Sequence, residues 1–275
     1  CIMYKIKFSS ILCAVAIMLL TSCGFNVEIS RNNSKDVIQL TGVDVTLSED
    51  IASFDKVELS TCVKVKLARA DKFAYYVTTD SAFVPYFEFE QKGNVLYIKA
   101  KGMQDTLYLY VPENYTFEIF EATLSGASQL DANDILSDVK KLDFKLNGAS
   151  KLSAKALNGE GAVRLDLSGA SKVRLNEIQT EWLVCEVNGA SNLDIISGVA
   201  QHANFRCSGA SKIDADVTVD DCSINLSGAS KMDITNVVDT LSAELNGASK
   251  LNYGGKPKTC KLNTSGVSKI FAEDK

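Results

Sequence analysis

The tripeptide Gly-Ala-Ser recurs at a nearly constant interval through the second half of this 275-residue chain. Successive copies begin 22 to 19 residues apart, and the last copy has Val in place of Ala. The eight copies begin at Gly126, Gly148, Gly169, Gly189, Gly209, Gly228, Gly247 and Gly266. A period near 20 residues is typical of a solenoid, in which each repeat forms one coil and packs only against its neighbours. The repeat therefore restricts the architecture strongly and the function much less.

Apolar residues occupy the same places in each repeat. They stand six, four and two residues before the glycine, as in Leu142, Phe144 and Leu146, and again four and six residues after it. This alternation is typical of strands with one buried face. Equivalent strands of successive coils then lie side by side in the same direction, with a right-handed crossover. The sequence predicts an all-β fold, a right-handed parallel β-helix of about eight short coils preceded by a β-rich capping segment.

The Gly-Ala-Ser tripeptide is predicted to form the corner of each coil. The apolar residues on its two sides keep the same even spacing, so the chain bends there without an extra residue. Glycine permits such a bend and a close approach of two backbones, which makes the eight glycines structural turn residues. The small serine fits a crowded corner, where its hydroxyl can bond the backbone or the serine of the next coil. Ser or Asn directly precedes every glycine and predicts a structural polar ladder.

The first 22 residues are predicted to be a lipoprotein signal peptide. Lys5 and Lys7 precede thirteen apolar or small residues, 8–20, and the run ends in Leu-Thr-Ser followed by Cys23. This ending resembles the bacterial lipobox, in which the cysteine becomes the lipidated first residue of the mature protein. An ordinary secretory signal and a transmembrane helix are the alternatives, although a bilayer span needs roughly 20 residues. Met3 is a candidate for the true start of translation.

Three further segments follow the signal. Residues 23–41 include a polar stretch without apolar periodicity and are predicted to be a flexible tether. Residues 42–119 alternate apolar with polar residues and contain most of the aromatic residues, which predicts a β-rich unit that caps the first coil. Residues 120–275 contain the Gly-Ala-Ser coils. The aromatic residues are expected mainly in the core of the cap, with a sugar-stacking surface as the alternative.

A column of basic residues is predicted beside the corners. Lysine follows the serine in six repeats, so stacking places these charges roughly one strand spacing apart. They are Lys151, Lys172, Lys212, Lys231, Lys250 and Lys269, with Gln129 and Asn192 in the other two repeats. Such a column suits an anionic glycan or a lipopolysaccharide phosphate, and a solvated face is the alternative. Aspartates on the same face offset much of the field, namely Asp131, Asp194, Asp214 and Asp233.

Composition and spacing exclude several classes of protein. Without the signal, and so without Lys5 and Lys7, the chain has 27 basic and 34 acidic side chains, a net charge of −7, and a nucleic-acid partner is not expected. The single His202 excludes most zinc sites and catalytic triads. The short coils leave no room for the long loops of polysaccharide-cleaving β-helices, and Gly-Ala-Ser lacks the carboxylates of calcium-binding repeats. We assign no catalytic residue, no cofactor and no metal ligand.

The cysteines are not expected to form structural disulfides. Cys1 and Cys13 belong to the signal and Cys23 receives the lipid, so five others remain. These are Cys62, Cys185, Cys207, Cys222 and Cys260. The last four hold places where other repeats have Leu, Phe, Ile or Val, which predicts small core residues. Cys222 and Cys260 share a place but lie two coils apart, roughly 10 Å and too far for a bond.

Several motifs together resemble one known family. They are Phe54–Ser60, the strand Val63–Val65, a tyrosine-rich strand that ends at Val111 and Pro112, the repeated Leu-Ser/Asn-Gly-Ala-Ser, and Tyr253–Pro257. Over residues 43–271 the chain resembles the family known as putative auto-transporter adhesin, head GIN domain. Members often have Gly-Ser-Gly at the turn, so the change to Gly-Ala-Ser keeps the residues small. The resemblance implies a secreted or lipid-anchored β-helical protein of a kind common in the Bacteroidetes, and it brings no catalytic residues.

Three functional hypotheses follow from the sequence. The first is a non-enzymatic lipoprotein of the outer membrane, anchored through Cys23, whose β-helical rod acts as an adhesin or binds a glycan or a protein. The second is a periplasmic ligand-binding or envelope-sensing module that uses the aromatic unit. The third is a glycan-cleaving β-helix enzyme, which the short coils disfavour. The sequence leaves open the ligand, the face of the outer membrane and the oligomeric state.

Overall fold

The computed structural model describes residues 38–133 and 135–273, which form strands almost throughout. Residues Ser81–Tyr86 form a short 3₁₀ helix, and no helix in the described range has the length and hydropathy to cross a bilayer. The strands are β1 (Asp44–Asp50), β2 (Lys56–Thr61), β3 (Lys64–Ala70), β4 (Ala74–Asp80), β5 (Phe87–Lys92), β6 (Val95–Ala100), β7 (Thr106–Pro112), β8 (Ile119–Leu124), β9 (Gln129–Asp131), β10 (Val139–Leu146), β11 (Lys151–Leu167), β12 (Lys172–Val187), β13 (Asn192–Ile195), β14 (Gly198–Cys207), β15 (Lys212–Leu226), β16 (Lys231–Leu245), β17 (Lys250–Gly255), β18 (Thr259–Thr264) and β19 (Lys269–Glu273). The predicted signal, Cys23 and most of the tether lie outside the described residues.

Strands β8 to β19 form a parallel β-helix. Each strand pairs with its counterpart one coil later, and the register at the corners is constant, so that Leu146 aligns with Leu167 and Leu167 with Val187. The ladders continue in this way to the last coil, where β16 pairs with β18 and β17 with β19. The predicted all-β solenoid of about eight coils is confirmed.

In most coils, the segment that leads from one Gly-Ala-Ser corner to the next is a bent strand. Strands β11, β12, β15 and β16 run from one corner to the next over 17, 16, 15 and 15 residues. A shift in pairing between Gly159 and Ala162 marks one of the bends inside β11. Because the return segment itself pairs with its neighbours, these coils close without a long loop.

The interior is built from the apolar columns that the repeat predicts. Phe144 and Leu146 are fully buried, as are most of their equivalents in later coils. Cys207 and Cys222 lie in the same columns as free thiols, and burial raises the pKa of each to about 12. Cys260 is exposed instead, because β18 belongs to the last described coil and its inner face has no further coil over it in residues 38–133 and 135–273.

The amino-terminal unit belongs to the same stack as the repeats. Strand β2 lies between β6 and β8, and β3 lies between β7 and β9, all in parallel. The chain therefore completes the β2–β3 coil first, adds the β6–β7 coil on one side of it, and then adds β8 and β9 on the other. The division expected near residue 119 separates two sequence patterns that pack as one continuous stack.

Antiparallel strands cover the outer end of this unit. Strand β4 pairs with β7 and β1 with β4, while β5 forms a hairpin with β6. A contiguous aromatic cluster fills the neighbouring interior, with ring centroids 4.8 to 5.7 Å apart between Phe54, Phe73, Tyr115 and Phe117. Because β4 runs antiparallel to β7, the parallel coils do not continue past β7. The edge of the parallel ladder at β7 is therefore covered by β4.

Candidate functional site

The corner glycines adopt a backbone conformation that other residues rarely adopt. All eight have φ between +71° and +77°. A Cβ atom built on any of the seven from Gly148 to Gly266 would lie 2.5 to 2.7 Å from the carbonyl oxygen of the preceding corner. Positive φ and close stacking therefore both select glycine at this place, which makes the corner part of the scaffold.

The corner serine points inward and bonds within its own turn. Ser211 is 1% exposed, and its hydroxyl donates to the carbonyl oxygen of Ser208 at 2.6 Å. The same bond to the residue three places earlier occurs at Ser128, Ser150, Ser171, Ser230 and Ser249. The backbone of the same turn is thus the main acceptor, and the serine hydroxyl is not available to a ligand.

The Ser and Asn residues before the glycines form short ladders between coils. Where Ser follows Asn in the next coil, its hydroxyl donates to the amide oxygen at 2.5 to 2.6 Å. These pairs are Ser168 with Asn147, Ser208 with Asn188, and Ser265 with Asn246. Elsewhere the hydroxyl bonds a carbonyl, as between Ser227 and Cys207 at 3.3 Å. The column links neighbouring coils through its own polar atoms.

The six predicted lysines lie in one column on the outer face. Parallel register aligns them, with Gln129 at the start and Asn192 as the interruption. Lys151 and Lys172 form no ion pair within the described residues. Lys231 Nζ lies 2.8 Å from Asp233, and Lys212 pairs with Asp214. The two ion-paired lysines therefore lie in the middle of the column, with Lys151 and Lys172 on one side and Lys250 and Lys269 on the other.

Three aspartates continue this face in adjacent coils. Asp194, Asp214 and Asp233 align in register and line one side of a shallow groove. Burial alone would raise the pKa of Asp233, but hydrogen bonds from Lys231 and Asn252 outweigh it and lower that pKa. The hydrogen bond to Asp233 in turn raises the pKa of Lys231. These carboxylates are held by neighbouring cations and amides within the face.

The described residues form no group of three or more His, Cys, Asp or Glu side chains suited to a metal ion. The buried thiols are unsuited to nucleophilic chemistry as well, because burial holds the pKa of Cys185 well above its usual value and disfavours the thiolate.

The aromatic residues of the amino-terminal unit divide between core and surface. Tyr76, Tyr108 and Tyr110 lie on the outer face of β4 and β7, where Tyr76 aligns with Tyr108. The rings of Tyr108 and Tyr110 are nearly parallel, with centroids 6.2 Å apart, and Tyr76 is 39% exposed. We call these three residues the tyrosine surface. They provide a flat aromatic area, whereas Phe54 and Phe117 pack in the interior.

One exposed aromatic residue lies on the repeats themselves. Trp182 is 47% exposed and aligns with His202 of the next coil, whose ring lies against it with centroids 4.3 Å apart. His202 Nδ1 lies 3.3 Å from Asp221 Oδ2 in the following coil. Sequence reasoning did not select Trp182, although its place seven residues before Gly189 is an outward one in the repeat pattern and could have identified it.

Several solved structures share this fold at low sequence identity. A putative adhesin from Parabacteroides distasonis is 18% identical with a TM-score of 0.70, over 84% of this chain and 97% of that chain. A putative adhesin from Parabacteroides merdae is 18% identical with a TM-score of 0.69, over 85% and 98%. A putative lipid binding protein from Parabacteroides distasonis is 15% identical with a TM-score of 0.72, over 86% and 98%. Likeness at these identities establishes the fold.

Among curated proteins, none matches this sequence. A family model described as putative auto-transporter adhesin, head GIN domain, matches residues 53–257. The match begins just before β2 and ends after β17, so it includes the amino-terminal unit except β1, and the first seven corner glycines. The motifs Phe54–Ser60 and Tyr253–Pro257, on which the sequence resemblance depends, both lie inside it. The chain belongs to the putative auto-transporter adhesin, head GIN domain family.

Proposed function

We propose that this protein is a non-enzymatic adhesin of the cell envelope that binds a glycan or a protein through the outer faces of its β-helix. In this proposal a lipid on Cys23 anchors it in the outer membrane, and residues 23–41 separate the rod from the bilayer. Family membership supports the adhesin role.

The shape of the coils is the observation that carries the proposal. Bent strands close the coils of β11, β12, β15 and β16 without long loops, so the exposed side chains there lie in straight columns with strand spacing, and no insertion in these strands builds a deep cleft. Extended, nearly flat surfaces suit recognition of a chain or a partner surface. Cleavage of a substrate requires convergent groups around one bond, which straight columns do not provide.

Lipid binding, named for one similar structure, has less support in this chain. The shallow groove beside Asp214 is open and mixed in character, with Asp194 and Asp233 along one side and Ile195, Ile196 and Ile234 among its other lining residues. An acyl chain requires an enclosed, mostly apolar cavity. The groove is therefore a poor match for a lipid tail.

The anchor is tested by metabolic labelling with a fatty-acid analogue. The wild-type protein should incorporate the label and sediment with membranes, and Cys23→Ala should lose both properties while remaining exported. Proteinase treatment of intact cells then identifies the face of the membrane, since an adhesin must be cleaved from outside. Unlabelled wild-type protein, or labelled protein that is protected until cells are broken, would argue against a surface adhesin.

The tyrosine surface favours a second candidate, a periplasmic ligand-binding or envelope-sensing module. Three aromatic rings on an open sheet face offer an apolar contact area with hydroxyl groups at its edge. Tyr108→Ala should then abolish binding to the cell-wall fraction that retains the wild type, whereas the double substitution of Lys151 and Lys172 by Ala should not. The reverse result would assign binding to the lysine column.

A further inference from the structure

Trp182 is a side chain that the fold does not require. It is the only tryptophan in the sequence, and it lies on the outer face of β12. The residues in register with it in other coils include Ala162, Asp221 and Thr240. Because coils with such small or polar residues form the same strand pairs, the indole is not needed to build the strand. Tryptophan is enriched in binding interfaces and carries much of their binding energy, so an exposed indole that the strand does not need is a candidate contact for a partner.

The indole is held in one position by its neighbours. His202 lies against one face at a centroid distance of 4.3 Å and an angle of 34°, and Asp221 Oδ2 lies 3.3 Å from His202 Nδ1. The indole Nε1–H donates to Glu181 Oε1 at 3.2 Å. Contacts on two sides limit rotation of the ring before any ligand arrives, which reduces the entropy lost on binding.

The opposite side of the indole faces a coil with small residues. Ala162 is the register neighbour of Trp182 on that side, and Gly161 precedes it. The next residue in the same column is Lys141, two coils away, at roughly 10 Å by strand spacing. The column therefore leaves a notch about one coil wide beside the uncovered face of the ring.

We propose that this notch binds a neutral sugar, with one pyranose ring stacked on the uncovered indole face. The C–H groups on one side of a pyranose match the negative face of an aromatic ring. Arg164, next to the notch, offers donors, and Glu181 offers an acceptor, so hydroxyl groups find both kinds of partner. Lys141 pairs with Glu121 at 3.5 Å and Glu181 accepts from the indole, so charges of both signs beside the notch already have partners, which favours a neutral ligand. The inference rests on the proposed binding function and names its ligand class.

Because Trp182 is the only tryptophan, its fluorescence reports on this site alone. The full chain is titrated separately with cellotriose, chitotriose and mannotriose. At least one of these neutral trisaccharides should change the emission in a saturable manner. The same sugar should protect Trp182 from acrylamide quenching, because the sugar covers the face that is otherwise open to solvent. No change in emission or quenching with any of the three would overturn the proposal.

The matched variant is Trp182→Thr, which copies the residue at Thr240 in the same column. It should lower affinity for the active trisaccharide at least tenfold by calorimetric titration, with the melting temperature unchanged. Tyr86→Ala, which removes an exposed aromatic ring of the amino-terminal unit outside the tyrosine surface, should bind as the wild type does. Equal affinity of Trp182→Thr and the wild type for that trisaccharide would contradict the proposed sugar site. If Trp182→Thr still binds cells, the adhesin function does not depend on this site. If the wild-type protein binds the sugar but does not bind cells, the sugar site is supported and the adhesin function is contradicted.

Discussion

The amino-terminal unit and the Gly-Ala-Ser coils build the same corner from different residues. In the repeats the corner is Gly-Ala-Ser, and in the β2–β3 coil the register places Thr61, Cys62 and Val63 at the same three positions. Thr61 even has the positive φ of the glycines, at +70°. The backbone path is therefore conserved between the two regions while the side chains differ.

The neighbouring chain explains the difference. A corner glycine in the repeats is stacked tightly against the corner before it. On the corresponding side of Thr61 lies the connection from Ala100 to Thr106, which has five residues between its register pairs where the β2–β3 corner has two. A longer connection leaves the space that a side chain needs. The comparison indicates that close stacking, more than the bend, restricts the corner to glycine.

The largest effect is expected from a bulky residue in the middle of the repeats. Gly209→Val places a branched side chain at φ +77°, where its Cβ would lie 2.5 Å from the Gly189 carbonyl oxygen. Backbone strain and the clash together should lower the free energy of unfolding by about 4 kcal/mol. Urea denaturation measures it. Lys212→Ala, three residues away on the exposed face, should cost less than about 1 kcal/mol, and equal costs would contradict the role assigned to the corner.

A reciprocal exchange of corner residues tests the comparison directly. Gly126→Thr should cost about 3 kcal/mol, because its Cβ meets the Thr61 carbonyl. Thr61→Gly should change stability by less than about 1 kcal/mol, since relief of the positive φ opposes the entropy gained by the unfolded chain. Both are measured by chemical denaturation of the full chain. If Thr61→Gly stabilised the protein by as much as Gly126→Thr destabilises it, the two corners would be equally crowded.

The structure of the repeats could be predicted from the sequence because every coil has the same pattern of apolar and polar residues. Even spacing around Gly126 and its equivalents predicts the strands, the inward residues and the place of the corner, and the lysine column follows from the same register. The order of strands in the amino-terminal unit was not predictable, because β2 and β3 pair with strands on both sides that come much later in the chain. Periodicity reports which face is buried and not which strand is the neighbour.

The candidate sites were predictable to different degrees for a similar reason. The outward direction of Lys231 follows from parity, but its pairing with Asp233 depends on side-chain conformation. The tyrosine surface required the antiparallel pairing of β4 with β7, which alternation alone does not specify. Trp182 could be placed on the outside by counting, whereas the support from His202 required the register of two coils.

The smallest effect should distinguish the two regions by their response to acid. The place of Asp233 in the column is held by Lys66 in the β2–β3 coil, so the lowered pKa of this carboxylate has no counterpart at that place in β3. A carboxylate whose pKa is lower in the folded than in the unfolded protein stabilises the fold above the unfolded value, and this contribution disappears as the pH falls through the folded value. Asp233→Asn should therefore be less stable than wild type at pH 6, and the difference should shrink as the pH approaches 3. Urea denaturation across this range measures the difference in the free energy of unfolding, with Asp220→Asn, at an exposed position, as the control.

Hydrogen exchange at low pH gives the regional view of the same effect. Exchange should first accelerate in β16 and β17 while β2 and β3 stay protected, and simultaneous loosening of both regions would contradict the placement of the acid-sensitive carboxylate in the repeats.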